Sequence, residues 1–542
     1  MSRFLSTWVG VEDEAHLAVT VAGEPSEAVA AQTDAIVEAA IASRIAAGDP
    51  SVWGPAAEAE ASIRLGWVNL HETSRNLLED LADAVADARA DGLTRVVLAG
   101  MGGSSLGPEV ICATYGAPLV TLDSTDPQQV RDALAGDLAS TVLVVSSKSG
   151  GTVETDSQRR AFEAAFSAAG LDPRKHIIVV TDPESPLHKA ALDAQYRNVF
   201  LADPNVGGRF SVLTAFGLVP AALAGVPVEE LLDEASVVAE SLAEDHAANP
   251  AIVLGIAMAG SARRTLVFSD HGSGLVGFAD WAEQLIAEST GKDGVGVLPV
   301  AAEPDAPDAT AAGCIDVRLV SLDGEAEASG NGITAGGTLG AMFLLWEFAT
   351  SIAGHILGIN PFDQPNVESA KVAARALLDA LPEPEAPAFV DDGIEVRATP
   401  GLLDGVTTVK GAVAALEHAL GADGYVAVMA YLDRNAFSPL ASARRAIAAR
   451  TGRPTTFGWG PRFLHSTGQL HKGGEPVGVF LQITGTFAED LDIPDRPFTF
   501  GQLISAQAAG DAAVLAEHDR PVLRLNLTRA DQVARLAGLL AG

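Results

Sequence analysis

The stretch Val144–Thr155 reads Val-Val-Ser-Ser-Lys-Ser-Gly-Gly-Thr-Val-Glu-Thr: an apolar run broken by hydroxyls, one lysine and two glycines. A helical pattern then opens at Val153. That layout suits a phosphate cradle. The glycines let the backbone close on an anion, Ser147, Ser149 and Thr152 offer hydroxyls beside Lys148, and a helix N-terminus adds a favourable dipole. A plain Gly/Ser turn between strand and helix is the simpler alternative. A second loop of the same character, Gly100–Pro108, includes Gly103 and Ser104. Two such loops at strand carboxyl ends in one domain point to a shared anion site. Gly100-Met101-Gly102-Gly103 does not fit G-x-G-x-x-G with a later acidic residue, and no G-x-x-x-x-G-K-[ST] occurs, so the dinucleotide and P-loop readings lose.

Other chemistry-bearing residues are scattered further along. Gly207-Gly208-Arg209-Phe210-Ser211 opens an apolar helix, and Arg209 reads equally as a capping arginine. Glu288 sits near the end of a helix closed by Gly291 and, on pattern alone, is a solvated helix-end carboxylate. Asn360–Lys371 carries Gln364 and Lys371 in one run. His465 and His471 are six apart, which does not suit a metal pair on one helix face, where i,i+4 is expected.

These side chains need rigid elements behind them. From Arg95 to Asp203, apolar runs at Val96–Leu98, Leu119–Leu122, Val142–Val145, Ile177–Val180 and Val199–Leu201 alternate with helical stretches. This predicts a parallel sheet with helices on both faces. A second α/β block starts near Ala251, and a third stretch of alternation runs from Tyr425 to Leu525. Residues 1–90 are Ala- and Glu-rich with helical periodicity, predicting a helical arm without a strand before Arg95. Residues 382–407, rich in Pro, Glu and Asp, predict a surface excursion, and Phe343–Leu357 a core helix too short to span a bilayer.

Bulk composition narrows the function. The 542 residues suit roughly two to four domains. With 35 Lys plus Arg against 70 Asp plus Glu, the chain carries a formal charge of −35, which argues against nucleic acid and anionic membranes as partners. Cys112 and Cys314 make neither a disulfide framework nor a metal cluster. Glu12, Asp13 and Glu14 leave no room for a signal-peptide core after Met1, so a cytoplasmic, soluble protein is expected.

Taken together, the motifs resemble the glucose-6-phosphate isomerase family across roughly residues 95–510. Gly100–Pro108 is similar to its G-x-G-G-S-x-L-G-P loop and Ser147–Thr155 to its S-K-[ST]-x-x-T-x-E-T phosphate loop. Gly207–Ser211 matches G-G-R-[FY]-S, Glu288–Lys292 matches E-S-x-G-K, and Asn360–Lys371 resembles N-x-F-D-Q-x-x-V-E-x-x-K. The resemblance implies an α/β fold of two sugar-isomerase (SIS) domains, each a doubly wound, mainly parallel sheet in three α/β/α layers. Here they would be residues 91–250 and 251–542 behind the arm 1–90, with an insertion near 382–410. It implies interconversion of glucose 6-phosphate and fructose 6-phosphate through ring opening and a cis-enediol(ate), in glycolysis and gluconeogenesis, with no cofactor and no metal. Glu288 would be the base, Arg209 the cation at the enediolate oxygen, and Lys371 a ring-opening lysine. Gln364, Gly103, Ser104, Ser147, Lys148, Ser149 and Thr152 would bind the hexose 6-phosphate. Rival readings are an isomerase that also accepts mannose 6-phosphate and a catalytically silent SIS-type sensor.

One motif is displaced. The family's ring-opening histidine lies in an H-x-x-x-Q segment before N-x-F-D-Q, whereas here the pattern appears later, as His465–Gln469. This order resembles the isomerase portion of bacterial transaldolase–glucose-6-phosphate isomerase fusions, although the chain lacks the length for a transaldolase part. The resemblance makes His465, ahead of His471, the ring-opening acid/base, and leaves the protein a monomer or a homodimer.

Overall fold

The computed structural model describes residues 4–11, 14–323, 328, 330–380, 385–487 and 489–542. Among them the strands form one sheet of five and two of six. A hairpin of β1 (Phe4–Val11) and β2 (Glu14–Ala22) opens the chain. The five-stranded sheet follows: β3 (Arg95–Gly100), β4 (Val120–Leu122), β5 (Thr141–Ser146), β6 (Ile177–Thr181) and β7 (Asn198–Leu201), all parallel in the order β4-β3-β5-β6-β7. The chain leaves β3 for one edge and returns to its other side, so β3 and β5 flank a topological switch point.

The second sheet contains β8 (Thr265–Asp270), β9 (Leu298–Ala301), β10 (Cys314–Leu319) and β11 (Gly332–Gly337), in the order β9-β8-β10-β11. The N-terminal hairpin extends it, β2 pairing antiparallel to β11. The third sheet contains β12 (Phe389–Asp391), β13 (Ile394–Ala398), β14 (Tyr425–Tyr431), β15 (Thr455–Trp459), β16 (Gly478–Gly485) and β17 (Val522–Leu527). Its parallel part runs β15-β14-β16-β17, and the hairpin β12–β13 extends it beyond β17. Helices that matter to the site are α1 (Leu106–Thr114), α2 (Val153–Ala168), α3 (Phe278–Thr290), α4 (Leu339–Leu357), α5 (Val367–Ala380), α6 (Gly468–Gly473) and α7 (Phe500–Glu517).

The mixed α/β architecture with parallel sheets agrees with the sequence reading, but two of its parts need correction. The arm is not wholly helical, because β1 and β2 precede its helices. Leu17, Val19 and Val21 alternate into the second sheet's core at 0 % exposure, a period of two hidden in an Ala/Glu-rich stretch. The single unit expected over 251–542 holds two sheets, and part of the expected excursion near 382–410 is the hairpin β12–β13.

A third sheet forms because β14 is apolar on both faces. Val426, Val428 and Ala430 face the third sheet's own core, while Tyr425, Ala427, Met429 and Tyr431 pack with Val267, Leu298 and Val300 of the second. Burying each large side chain of this kind stabilises by roughly 1.5–3 kcal/mol. Helix α7, closed at its N-terminus by a Thr499/Gln502 capping box, wedges between units. Its Phe500 and Leu503 pack against Val97 and Phe162 of the first, and its Ile504 and Leu515 join the core shared by the other two. Helix α4 is long and apolar enough to cross a membrane by composition, yet 89 % of that window is buried inside the protein.

Candidate active site

Gly100 on β3 lies opposite Ser146 on β5, so the loops Gly100–Pro108 and Ser147–Thr152 leave the first sheet side by side at the switch point. Other units close over them. A Cβ on Gly103 would meet the Gly208 carbonyl oxygen at 1.9 Å, so only glycine lets these two backbones touch. Gly102, at φ +56°, is in the left-handed region and would press a Cβ to 2.7 Å from the His465 carbonyl oxygen.

Contact between Gly103 and Gly208 sets Arg209, 3 % exposed, beneath the loop. Its Nε donates to Ser289 Oγ at 2.8 Å, Nη1 to Gln364 Oε1 at 2.6 Å, and Nη2 to the carbonyls of Pro361 at 2.5 Å and Asp363 at 3.1 Å. Nη1 also lies 3.4 Å from Glu288 Oε1. Burial pulls the guanidinium below its ordinary value, and Glu288 and Asp363 oppose that. Lys292 is pressed down to about 8, chiefly by burial and then by Arg209, while its Nζ donates to Asp363 Oδ1 at 2.7 Å. Arg209 and Lys292 thus tie the loop 361–364 to the end of α3.

Glu288 is 7 % exposed in the last turns of α3. One turn back, Gln284 Nε2 donates to Glu288 Oε2 at 3.1 Å and to the His465 carbonyl at 2.8 Å. The His465 ring reaches the first unit, where Nε2 meets Glu154 Oε1 at 3.0 Å. Glu154, in the first turn of α2, also accepts from Gln507 Nε2 of α7 at 2.7 Å, and Thr125 Oγ1 donates to Gln507 Oε1 at 2.7 Å. All three sheets therefore meet around His465 within one chain.

The phosphate-loop hydroxyls remain together, with Ser147 Oγ 2.9 Å from Thr152 Oγ1 at the start of α2. Ser149 Oγ accepts from the Gly151 amide at 3.3 Å. Buried Ser146 Oγ and Thr155 Oγ1 find no hydrogen-bond partner among the described residues. Lys148 turns aside: its ammonium donates to Asp182 Oδ2 at 2.6 Å and to the Pro204 carbonyl at 3.2 Å. Gln364 sits on Arg209, whereas the side chain of Lys371, on α5, lies outside the described residues. His471 is buried in the third unit, its Nδ1 2.9 Å from the Tyr425 hydroxyl.

Four site residues escaped the sequence reading. Glu154 stands inside the S-K-[ST]-x-x-T-x-E-T match and Gln284 precedes Glu288 by one turn, the spacing at which helix side chains meet. Gln469 closes the H-x-x-x-Q match, donating to the Gly291 carbonyl at 2.9 Å and accepting from the Asn366 amide at 2.9 Å. Gln507 carried no local signal.

The chain is similar to known proteins in sequence and in fold. A family model described as phosphoglucose isomerase matches residues 68–295, a span that holds Arg209 and Glu288 and stops short of the third sheet. A glucose-6-phosphate isomerase from Rubrobacter xylanophilus is 31 % identical over 380 residues, covering 56 % of this chain and 87 % of its own. Another from Geobacter sulfurreducens is 31 % identical over 367 residues, covering 55 % and 69 %. Among solved structures, a hypothetical protein from Thermus thermophilus superposes with a TM-score of 0.55 at 25 % identity, covering 65 % of this chain and 97 % of that one. A glucose-6-phosphate isomerase from Chlamydia trachomatis gives 0.54 at 19 % identity over 70 % and 90 %, a likeness of fold.

Proposed function

The chain belongs to the phosphoglucose isomerase family and is an aldose–ketose isomerase interconverting glucose 6-phosphate and fructose 6-phosphate, and we propose that Glu288 and His465, supplied by two different sheets, divide its chemistry. The 6-phosphate rests on the hydroxyls of Ser147, Ser149 and Thr152 and on the N-terminus of α2. Lys148 joins it only by leaving Asp182. Gly103 and Ser104 line the sugar.

His465 opens the ring, giving a proton to the ring oxygen and taking one from the C1 hydroxyl, work suited to an imidazole near neutrality. The Glu154 carboxylate at Nε2 selects the tautomer protonated there and leaves Nδ1 for the sugar. Lys371 assists ring opening. In the open chain, Glu288 takes the C2 proton and returns it to C1. Negative charge develops on the enediolate oxygen, where Arg209, buried and held by four hydrogen bonds, needs no reorganisation to meet it. Gln364 completes the substrate contacts from its place on Arg209.

The observation that carries this reading is Gln284, whose amide donates to both Glu288 and the His465 backbone and so joins the two in one hydrogen-bonded group. Because His465 belongs to the same chain, the site works in a monomer or a homodimer, in the cytoplasm, on free hexose 6-phosphate with no cofactor, nucleic acid or membrane. The relatives do not favour the mannose 6-phosphate or sensor readings. A coupled isomerase assay tests the reading: Glu288→Gln is expected to lose roughly 10²–10⁴-fold in turnover, the worth of a positioned base. Turnover near that of the unaltered enzyme would overturn it.

A further inference from the structure

The segment bearing His465 is seated on the first unit by charge. Arg462 begins the short turn Arg462–His465, three residues before the histidine. Its Nη1 lies 2.7 Å from Glu109 Oε2 and 3.1 Å from Asp123 Oδ2. Arg434, from the loop after β14, brings Nη2 to 2.8 Å from Glu109 Oε1 and Nη1 to 3.6 Å from Asp123 Oδ1. Two carboxylates of the first unit thus hold two guanidiniums of the third. We propose that Arg462, clamped on Glu109 and Asp123 with Arg434 beside it, is the positioning residue that holds His465 in the active site of its own chain.

The first unit's end of this clamp adjoins a loop assigned above to the substrate. Glu109 is in the first turn of α1, directly after the loop Gly100–Pro108, and Asp123 follows β4 at 1 % exposure. On the other side, one turn of 3₁₀ helix joins Arg462 to His465, so a shift of the arginine passes to the imidazole without a flexible link. The segment is also tightly packed: a Cβ on Gly460 would meet the Tyr431 ring at 2.5 Å and one on Gly458 would meet Phe463 Cβ at 2.9 Å. The clamp is charged. Burial works to raise Glu109, and Arg462 and Arg434 together hold it below the ordinary carboxylate value. A cavity of about 380 Å³ borders it, lined by Leu106, Asp280, Asn435 and Trp459 along with Glu109 and the two arginines, and gives small solutes access.

This inference rests on the ring-opening role proposed for His465, so His465→Ala is measured alongside. The variant Arg462→Ala is assayed for exchange between the two anomers of glucose 6-phosphate, which needs ring opening alone. Calorimetry measures its affinity for glucitol 6-phosphate, an open-chain mimic that needs no ring opening. Displacing His465 by about 1 Å should cut anomer exchange on the order of 100-fold, with glucitol 6-phosphate affinity unchanged. Guanidinium ion entering the cavity should restore part of the exchange, as should Arg462→Lys. Anomer exchange at the unaltered rate in Arg462→Ala, or loss of exchange and glucitol 6-phosphate binding together without rescue, would overturn the clamp. Retention of exchange in His465→Ala would instead overturn the role of His465.

Discussion

The second and third sheets are topological duplicates that bring different residues to the candidate site. Each has four parallel strands, β9-β8-β10-β11 and β15-β14-β16-β17, and each is widened on the same side by an antiparallel hairpin that precedes them in the chain. The second supplies Glu288 from the helix after its first parallel strand; the third supplies His465 from the turn after its second. Neither holds both. Topology decides where loops emerge, and the side chains on those loops decide what is done there. Arg444, on the helix Ala443–Thr451 of the third unit, joins the pair, with Nη1 2.8 Å from Asp308 Oδ2 and Nη2 2.8 Å from Glu303 Oε1, both in the segment after β9 of the second.

The largest expected effect tests that division directly. Glu288→Gln should abolish exchange of the C2 hydrogen with solvent deuterium by roughly 10²–10⁴-fold while leaving anomer exchange intact. His465→Ala should show the reverse, losing anomer exchange while solvent exchange on the open-chain fraction persists. Deuterium incorporation and anomer exchange, followed by NMR on one sample, give both rates. Parallel losses in the two variants would mean that the sheets share one task.

The fold class and the family were legible in the sequence, for a physical reason. The motifs that carry the resemblance are short loops of fixed composition, so Gly100–Pro108, Ser147–Thr155 and Glu288–Lys292 show their character locally. What could not be read locally depends on contacts between distant segments. The third sheet's independence rests on β14 burying both faces, and a run such as Tyr425–Leu432 looks the same whether its second face meets a helix or another unit. Gln507 reaches Glu154 across 353 positions of chain. The pairing of Lys148 with Asp182 links positions 34 apart and has no local signal. In β2, alternation at Leu17, Val19 and Val21 was present but outweighed by the Ala- and Glu-rich helices that follow.

The two sheets should also respond oppositely to pH, the next largest effect. In the third, burial first and then Lys472 and Arg520 lower His471 from 6.5 to about 3. It stacks on Tyr425 and meets the edge of Phe480, where an imidazolium would be poorly solvated. The unfolded chain takes up that proton as pH drops through 6.5 and the native state does not. Stability from this group is therefore present above 6.5 and is lost on acidification down to about 3, at up to about 1.4 kcal/mol per pH unit. His471→Gln should flatten that acid limb in denaturant titrations. An acid limb unchanged in the variant would remove the third unit's acid sensitivity from the comparison.

The second unit carries the opposite liability in Glu347, on α4 at 0 % exposure, with neither carboxyl oxygen hydrogen-bonded among the described residues. Burial raises it well above its ordinary 4.5, so the native state keeps the proton that the unfolded chain releases. The unfolded state then binds fewer protons, and stability falls as pH climbs from 4.5 toward the raised value, the reverse of the His471 case. Glu347→Met nearly conserves volume and removes an unsatisfied polar group. It should stabilise the protein at neutral pH by about 1–3 kcal/mol and leave the contribution of His471 to the acid limb unchanged. Denaturant titrations at pH 5 and pH 8 read both effects, and a Met variant less stable than the parent at pH 8 would show that the carboxyl is held by a partner. The contrast between the sheets would then narrow to His471.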